Sequence, residues 1–168
     1  MSSDSRLPRL IFFALIAAAA YQSAHYYPLL AGRLASHFDG SGSPNGWQTK
    51  SMFFGFYLGG IAIAAALVFG IPKIIAAAPE SMINLPNKAY WLAPGRRAET
   101  VAFLEAQFAW FGAATFVVML SAVELAIRAN LAPEAGFSSS MMWWVLAGYF
   151  VFVLVWLVRI IGRFARTP

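Results

Sequence analysis

The sequence predicts an all-α polytopic membrane protein with four transmembrane helices and an ordered extracytoplasmic loop after the first. Three observations carry that expectation. Leu10 to Gly32, Ser51 to Pro72, Ala106 to Val123 and Gly136 to Val158 contain no Asp, Glu, Lys or Arg, and about 20 apolar residues form a helix long enough to cross a bilayer's hydrocarbon core. The chain is 60% hydrophobic and only 11% charged, with a mean hydropathy of +0.65. A soluble domain of 168 residues built this way has too little polar surface to cover itself, and soluble core helices rarely run so far without charge. The third observation is the placing of the basic residues. Arg6, Arg9, Lys73, Lys88, Arg96, Arg97, Arg159, Arg163 and Arg166 fall on one side of the four spans, and Arg33, Lys50 and Arg128 on the other. Positive residues in short loops stay in the cytoplasm, so both termini are expected there.

The expected unit is a single integral membrane domain over residues 1–168, with spans at about 9–30, 51–73, 104–126 and 139–161. Residues Met1 to Ala24 also fit a signal peptide, with Arg6 and Arg9 as the basic region and Leu10 to Ala20 as the apolar one. The apolar run continues through Tyr26, Tyr27, Leu29 and Leu30, so a retained span is expected. Ala14, Ala17, Ala18, Ala19 and Ala20 give that span a small face. The second span carries Gly55, Gly59, Gly60 and Ala64, a seam that lets another backbone approach. The two are expected to pack together within one chain rather than between copies. Pro72 should bend or end the second span, leaving Lys73 to Thr100 as the cytoplasmic segment.

In the third span Glu105 and Gln107 lie at the inner end and are read as interfacial. Glu124 lies about 30 Å further along, at the outer boundary, and one turn before Arg128, so an ion pair is expected. Trp47, Trp143, Trp144, Tyr26 and Tyr27 map to the outer boundary, and Trp91 and Trp156 to the inner one, as anchors at headgroup level. The net charge of +5 is accounted for by topology signals that also meet anionic lipid, so no nucleic-acid partner is implied.

The absence of cysteine excludes disulfides, thiolate ligands and cysteine catalysis. There is no nucleophile motif, phosphate loop, dinucleotide fingerprint or metalloprotease helix, so no catalytic residue, cofactor or enzymatic activity is expected. His25, His37, Asp39 and Glu124 all map to the outer boundary and are the candidates for a metal site. Two histidines without close helical spacing more often cap turns or meet headgroups. His37 is therefore expected to hydrogen-bond within the Phe38–Lys50 loop or to the top of the third helix.

The least generic stretch is the loop Ser36 to Lys50, where Asp39-Gly40 and Asn45-Gly46, with Gly42 and Pro44, encode successive turns. His37, Phe38, Asp39, Gly42, Pro44, Asn45, Trp47 and Lys50 fall in the order of a motif found between the first and second spans of small multi-pass bacterial membrane proteins. The chain resembles that family of unknown-function domains, which also occurs in SdpI-type immunity and signalling proteins. A proline common two residues before the histidine is Ala35 here. A second stretch, Asn84, Pro86, Asn87, Tyr90, Trp91, Pro94, Arg96 and Arg97, resembles the family's cytoplasmic segment, with Gly95 where an acidic residue is common. The resemblance implies recognition of a peptide or toxin by the outer loop, with Phe38 and Trp47 as anchors, for immunity or signalling through a partner. The competing readings are a small ion- or metal-binding or transport protein and a structural membrane partner. Few polar side chains line the spans beyond Gln22, Thr115 and Ser121, which counts against transport.

Reporter fusions at Gly42 and at the C-terminal Pro168 are expected to report opposite sides of the membrane. Both reporting the same side rules the topology out.

Overall fold

The computed structural model describes residues 6–167. The chain is an all-α, multi-pass membrane protein, and among the described residues four helices are long and apolar enough to span a bilayer. Helix α1 (Arg6–Tyr26) runs into a 3-10 turn, Tyr27–Leu29. Strands β1 (Arg33–Phe38) and β2 (Pro44–Thr49) follow, then helices α2 (Lys50–Ala77), α3 (Lys88–Trp91), α4 (Arg97–Leu131) and α5 (Ser139–Phe164). The hairpin and the α4–α5 turn share one end of the bundle, and α3, the start of α1 and the end of α5 share the other. The loop after the first span is thus a two-stranded antiparallel sheet, a regular form of the ordered loop its turn residues imply.

Helix α4 is the spine. At about 1.5 Å per residue its 35 residues span about 52 Å, well beyond a hydrocarbon core of about 30 Å. Helices α1, α2 and α5 each lie along it, whereas α1 and α2 stand further apart and meet through long side chains, Phe12 and Phe13 against Phe69 and Gln22 bonded to Tyr57. The two helices meet as expected, but not along the glycine seam of α2. A Cβ added at Gly55 or Gly59 would meet nothing within 4 Å, and at Gly60 only Met119 Cε at 3.2 Å.

The close approach is made by α4 instead. Ala109, Gly112, Ala113 and Phe116 recur at three- and four-residue spacing and are buried. A Cβ on Gly112 would lie 2.5 Å from Val68 Cγ2 and 2.7 Å from Phe12 Cε2. Phe12 is fully buried there, stacked on Phe116 at 4.7 Å and edge-on to Phe69 at 5.2 Å. One glycine therefore sets the distance among three helices.

Helix α2 does not end at Pro72, which is buried inside it. A proline inside a helix loses its N–H bond to the residue four earlier and crowds that carbonyl, yet α2 continues to Ala77. The helix then gains a cap, because Arg97 Nη2 donates to the carbonyls of Ile75, Ala76 and Ala78 at its C-terminal end. Other expectations also change. Trp91 is not an interfacial anchor: it is buried with Leu104 and Phe164 in a small core at the terminal end. Trp156 is half-buried, its Nε1 donating to the Gln107 carbonyl at 3.1 Å. Gln107 is buried within the bundle. Tyr26 turns its hydroxyl inward to Glu124. Trp143 and Trp144 are 65% and 79% exposed.

Gly112→Ala is expected to lower stability by about 1 to 3 kcal/mol by overpacking, read as a reduced Tm in detergent. Gly148→Ala, where the added methyl meets open space, should leave the Tm unchanged or raised. Equal Tm values for the two variants would remove Gly112 from this role.

Candidate functional site

The hairpin takes its shape from three attachments. At its base the chain closes on itself: Lys50 N donates to Gly32 O at 2.9 Å, and Lys50 Nζ donates to Leu30 O at 3.0 Å while lying 4.6 Å from the Tyr27 ring centre. Thr49 caps α2 by accepting from Met52 N, so β2 passes into the helix without a break.

On its flank, Asn130 of α4 grips β1. Ala35 N donates to Asn130 Oδ1 and Asn130 Nδ2 donates to Ala35 O, both at 2.8 Å. Leu34 and Ala35 are buried against the bundle as a result.

At its tip, Gly42 adopts φ +88° and its carbonyl accepts from Phe137 N at 3.3 Å. A Cβ at Gly42 would fall 2.3 Å from Phe137 O, so both the conformation and the contact demand glycine. Phe38 stacks on Phe137 at 4.7 Å.

The turn itself is organised by Asp39. Its Oδ1 accepts from Ser41 N (2.9 Å), Ser41 Oγ (2.6 Å) and Ser43 N (3.0 Å), while Gly42 N donates to the Asp39 carbonyl at 3.0 Å. The Ser41 and Ser43 donors hold the Asp39 carboxyl below the usual carboxylate range. Pro44 opens β2 opposite Phe38, Asn45 is exposed, and Gly46 lies opposite His37. His37 is exposed and its Nδ1 is 3.2 Å from Ser36 Oγ. It reaches neither the Phe38–Lys50 loop nor α4 with its ring nitrogens, because the irregular register between Ala35 and His37 turns it outward. Trp47, opposite Ala35, is 52% exposed.

Below the hairpin a polar network crosses three helices. Tyr57 of α2 donates to Gln22 Oε1 at 2.8 Å, and Gln22 Nε2 donates to Glu124 Oε2 at 2.9 Å. Glu124 Oε1 accepts from Tyr26 Oη at 3.0 Å and from Arg128 Nε at 2.7 Å, the ion pair expected from the sequence. His25 is not part of it, since its ring packs between Tyr21 and Tyr26. His25, His37, Asp39 and Glu124 thus occupy separate surroundings, and among the described residues no three His, Asp or Glu side chains converge on a metal position.

The second motif forms a tie at the opposite end. Asn87 adopts the left-handed conformation (φ 52°), which asparagine tolerates. Its carbonyl accepts from Tyr90 N and Trp91 N, and its Nδ2 donates to Phe164 O at 3.0 Å. Thr100 Oγ1 donates to Trp91 O at 2.8 Å. Arg96 stacks 3.8 Å over Tyr90, and Arg163 lies over Trp91 and Phe103 while pairing with Glu99 at 2.7 Å. Asn84, Pro86 and Pro94 remain exposed. The segment from 84 to 97 therefore joins the ends of α2, α4 and α5.

Sequence reasoning missed Asn130, Phe137 and Tyr57, and read Gln22 only as a polar residue within a span. Each partners a residue at least 35 positions away, and no local spacing announces such a pair.

The depressed Asp39 pKa gives a pH expectation with a definite sign. Its contribution is in full above the unfolded value of about 3.9 and is lost as pH falls through the lower folded value. Protection of the Ser41 and Ser43 amides from hydrogen exchange should therefore be level near neutrality and fall only in strongly acid solution. Asp39→Asn should abolish that acid limb and reduce protection at neutral pH. An unchanged profile would show that Asp39 does not order the turn.

Comparison of the chain with protein-family models, curated proteins and solved structures finds no match.

Proposed function

We propose that this chain is a non-enzymatic, SdpI-like receptor of a bacterial cell membrane, with its hairpin on the outer surface and both termini in the cytoplasm. The hairpin recognises a membrane-active peptide or toxin, for immunity or for signalling. One observation carries the reading: Trp47 projects, half-exposed, from a hairpin fixed at its base, flank and tip. Its cross-strand neighbour is Ala35, too small to cover the indole. An aromatic ring on immobilised backbone loses little further freedom on binding and is the residue type most enriched at binding hot spots. Its position beside the spanning helices suits an amphipathic peptide at the bilayer surface. Phe38 is committed to Phe137, so Trp47 serves as the anchor and Phe38 as its support.

Signalling finds support in the cap at the other end. Because residues 84–97 join α2, α4 and α5, a shift of those helices reaches exposed Asn84 and Pro86 directly. The transport reading is less well supported, since few polar side chains line the spans beyond Gln22, Thr115 and Ser121.

Trp47→Ala is expected to weaken peptide binding by about 30-fold, corresponding to an anchor of about 2 kcal/mol. Trp144→Ala, an exposed ring on α5, should leave binding unchanged. Cells would be challenged with a panel of amphipathic membrane-active peptides, and a photo-crosslinker placed at position 47. If deletion of the gene sensitises cells to none of them and no peptide is captured, the receptor reading is abandoned.

A further inference from the structure

Because α1 and α2 both pack on α4 and meet each other only through long side chains, a crevice opens between them near the start of α1. It has a volume of about 240 Å³ and is lined by Arg9 and Phe13 of α1, Phe69, Pro72 and Lys73 of α2, and Glu105 of α4. Arg9 and Glu105 form a part-buried ion pair. Lys73 is exposed and, among the described residues, has neither an ion pair nor a side-chain hydrogen bond. Two cations and one carboxylate leave the crevice with one net positive charge.

The lining is graded along the membrane normal. Phe13 lies four residues after Arg9 on α1, and Phe69 four residues before Lys73 on the antiparallel α2. Both rings are therefore about 6 Å deeper than the charges, and they stack on each other at 5.4 Å with an interplanar angle of 15°. The depth of the charged layer follows from α4. Glu105 and Glu124 are separated by 19 positions, about 29 Å of helix, which matches the thickness of the hydrocarbon core. Glu105, Arg9 and Lys73 thus sit at headgroup level, and the stacked rings sit where acyl chains begin.

We propose that this crevice is a binding site for one anionic phospholipid, its phosphate facing Lys73 and Arg9 and the start of an acyl chain lying on Phe13 and Phe69. A free anion makes no use of the aromatic wall. A zwitterionic lipid brings no net charge to match the excess cation. Basic crevices between transmembrane helices at a membrane boundary bind anionic headgroups in this way. The site is separate from the hairpin and does not depend on what the hairpin binds.

Native mass spectrometry of the full chain in detergent tests this with phosphatidylglycerol and phosphatidylcholine of identical acyl chains, and with inorganic phosphate. Phosphatidylglycerol should be retained in preference to phosphatidylcholine. Lys73→Gln should reduce its retention about fivefold, the effect of one cation at the membrane surface. Arg159→Gln, an exposed cation at the same end but outside the crevice, should change retention little. Phe13→Ala should also lower retention, since it removes the acyl contact and leaves every charge in place. Equal retention of the two lipids, or equal losses from Lys73→Gln and Arg159→Gln, overturns the site. Displacement of phosphatidylglycerol by millimolar inorganic phosphate overturns it in favour of a free-anion site.

Discussion

Everything in this fold depends on how closely α1 and α2 can approach α4. In a bilayer apolar side chains gain nothing by leaving the lipid, so association rests on contact distance and on polar bonds between helices. Gly112 provides the distance, since its missing side chain admits Phe12 and Val68 together. Polar bonds fix the rest. Arg9 meets Glu105 near one end of α1, and Gln22 and Tyr26 meet Glu124 near the other. With a tight crossing between two polar clamps, α1 can neither slide along α4 nor rotate about its own axis.

The same spine governs the hairpin. An isolated two-stranded hairpin is at best marginally stable in water, and this one has only six residues in each strand. Its order is borrowed from the bundle. Asn130 extends α4 to β1, the α4–α5 turn supplies Phe137 to the tip, and Lys50 ties the first turn of α2 back to the end of α1. Displacing the upper part of α4 would disturb all three helices and the hairpin together.

What the sequence made legible was local. Length and absence of charge located four helices, because the bilayer imposes a length that any sufficiently apolar run satisfies. The turn residues Asp39, Gly42 and Pro44 announced an ordered loop, and the spacing of Glu124 and Arg128 announced their ion pair. Partner choice was not legible. Gly55 and Gly59 form a recognisable small-residue pattern, yet the pattern does not say which helix will meet it, and here none does. Trp91 looked like an anchor because aromatic residues near a span end usually are, but the carbonyl bond from Thr100 and the packing of Phe164 draw it inward. Pro72 looked like a bend or a terminus because the residue that caps the helix beyond it, Arg97 on the Ala78 carbonyl, lies 19 positions after that carbonyl in the chain.

The grip of Asn130 on Ala35 has a consequence for how the hairpin presents its edges. A carboxamide that accepts from a residue's N–H and donates to its C=O imitates the neighbouring strand of a sheet, so β1 is closed to strand addition at that point. The open edge belongs to β2. Ala35 directs its backbone groups toward Asn130 and away from β2, so in an antiparallel ladder the residue opposite it, Trp47, directs its own away from β1. Trp47 therefore offers an indole and an unpaired peptide group at one position, and an extended segment aligned there would meet both.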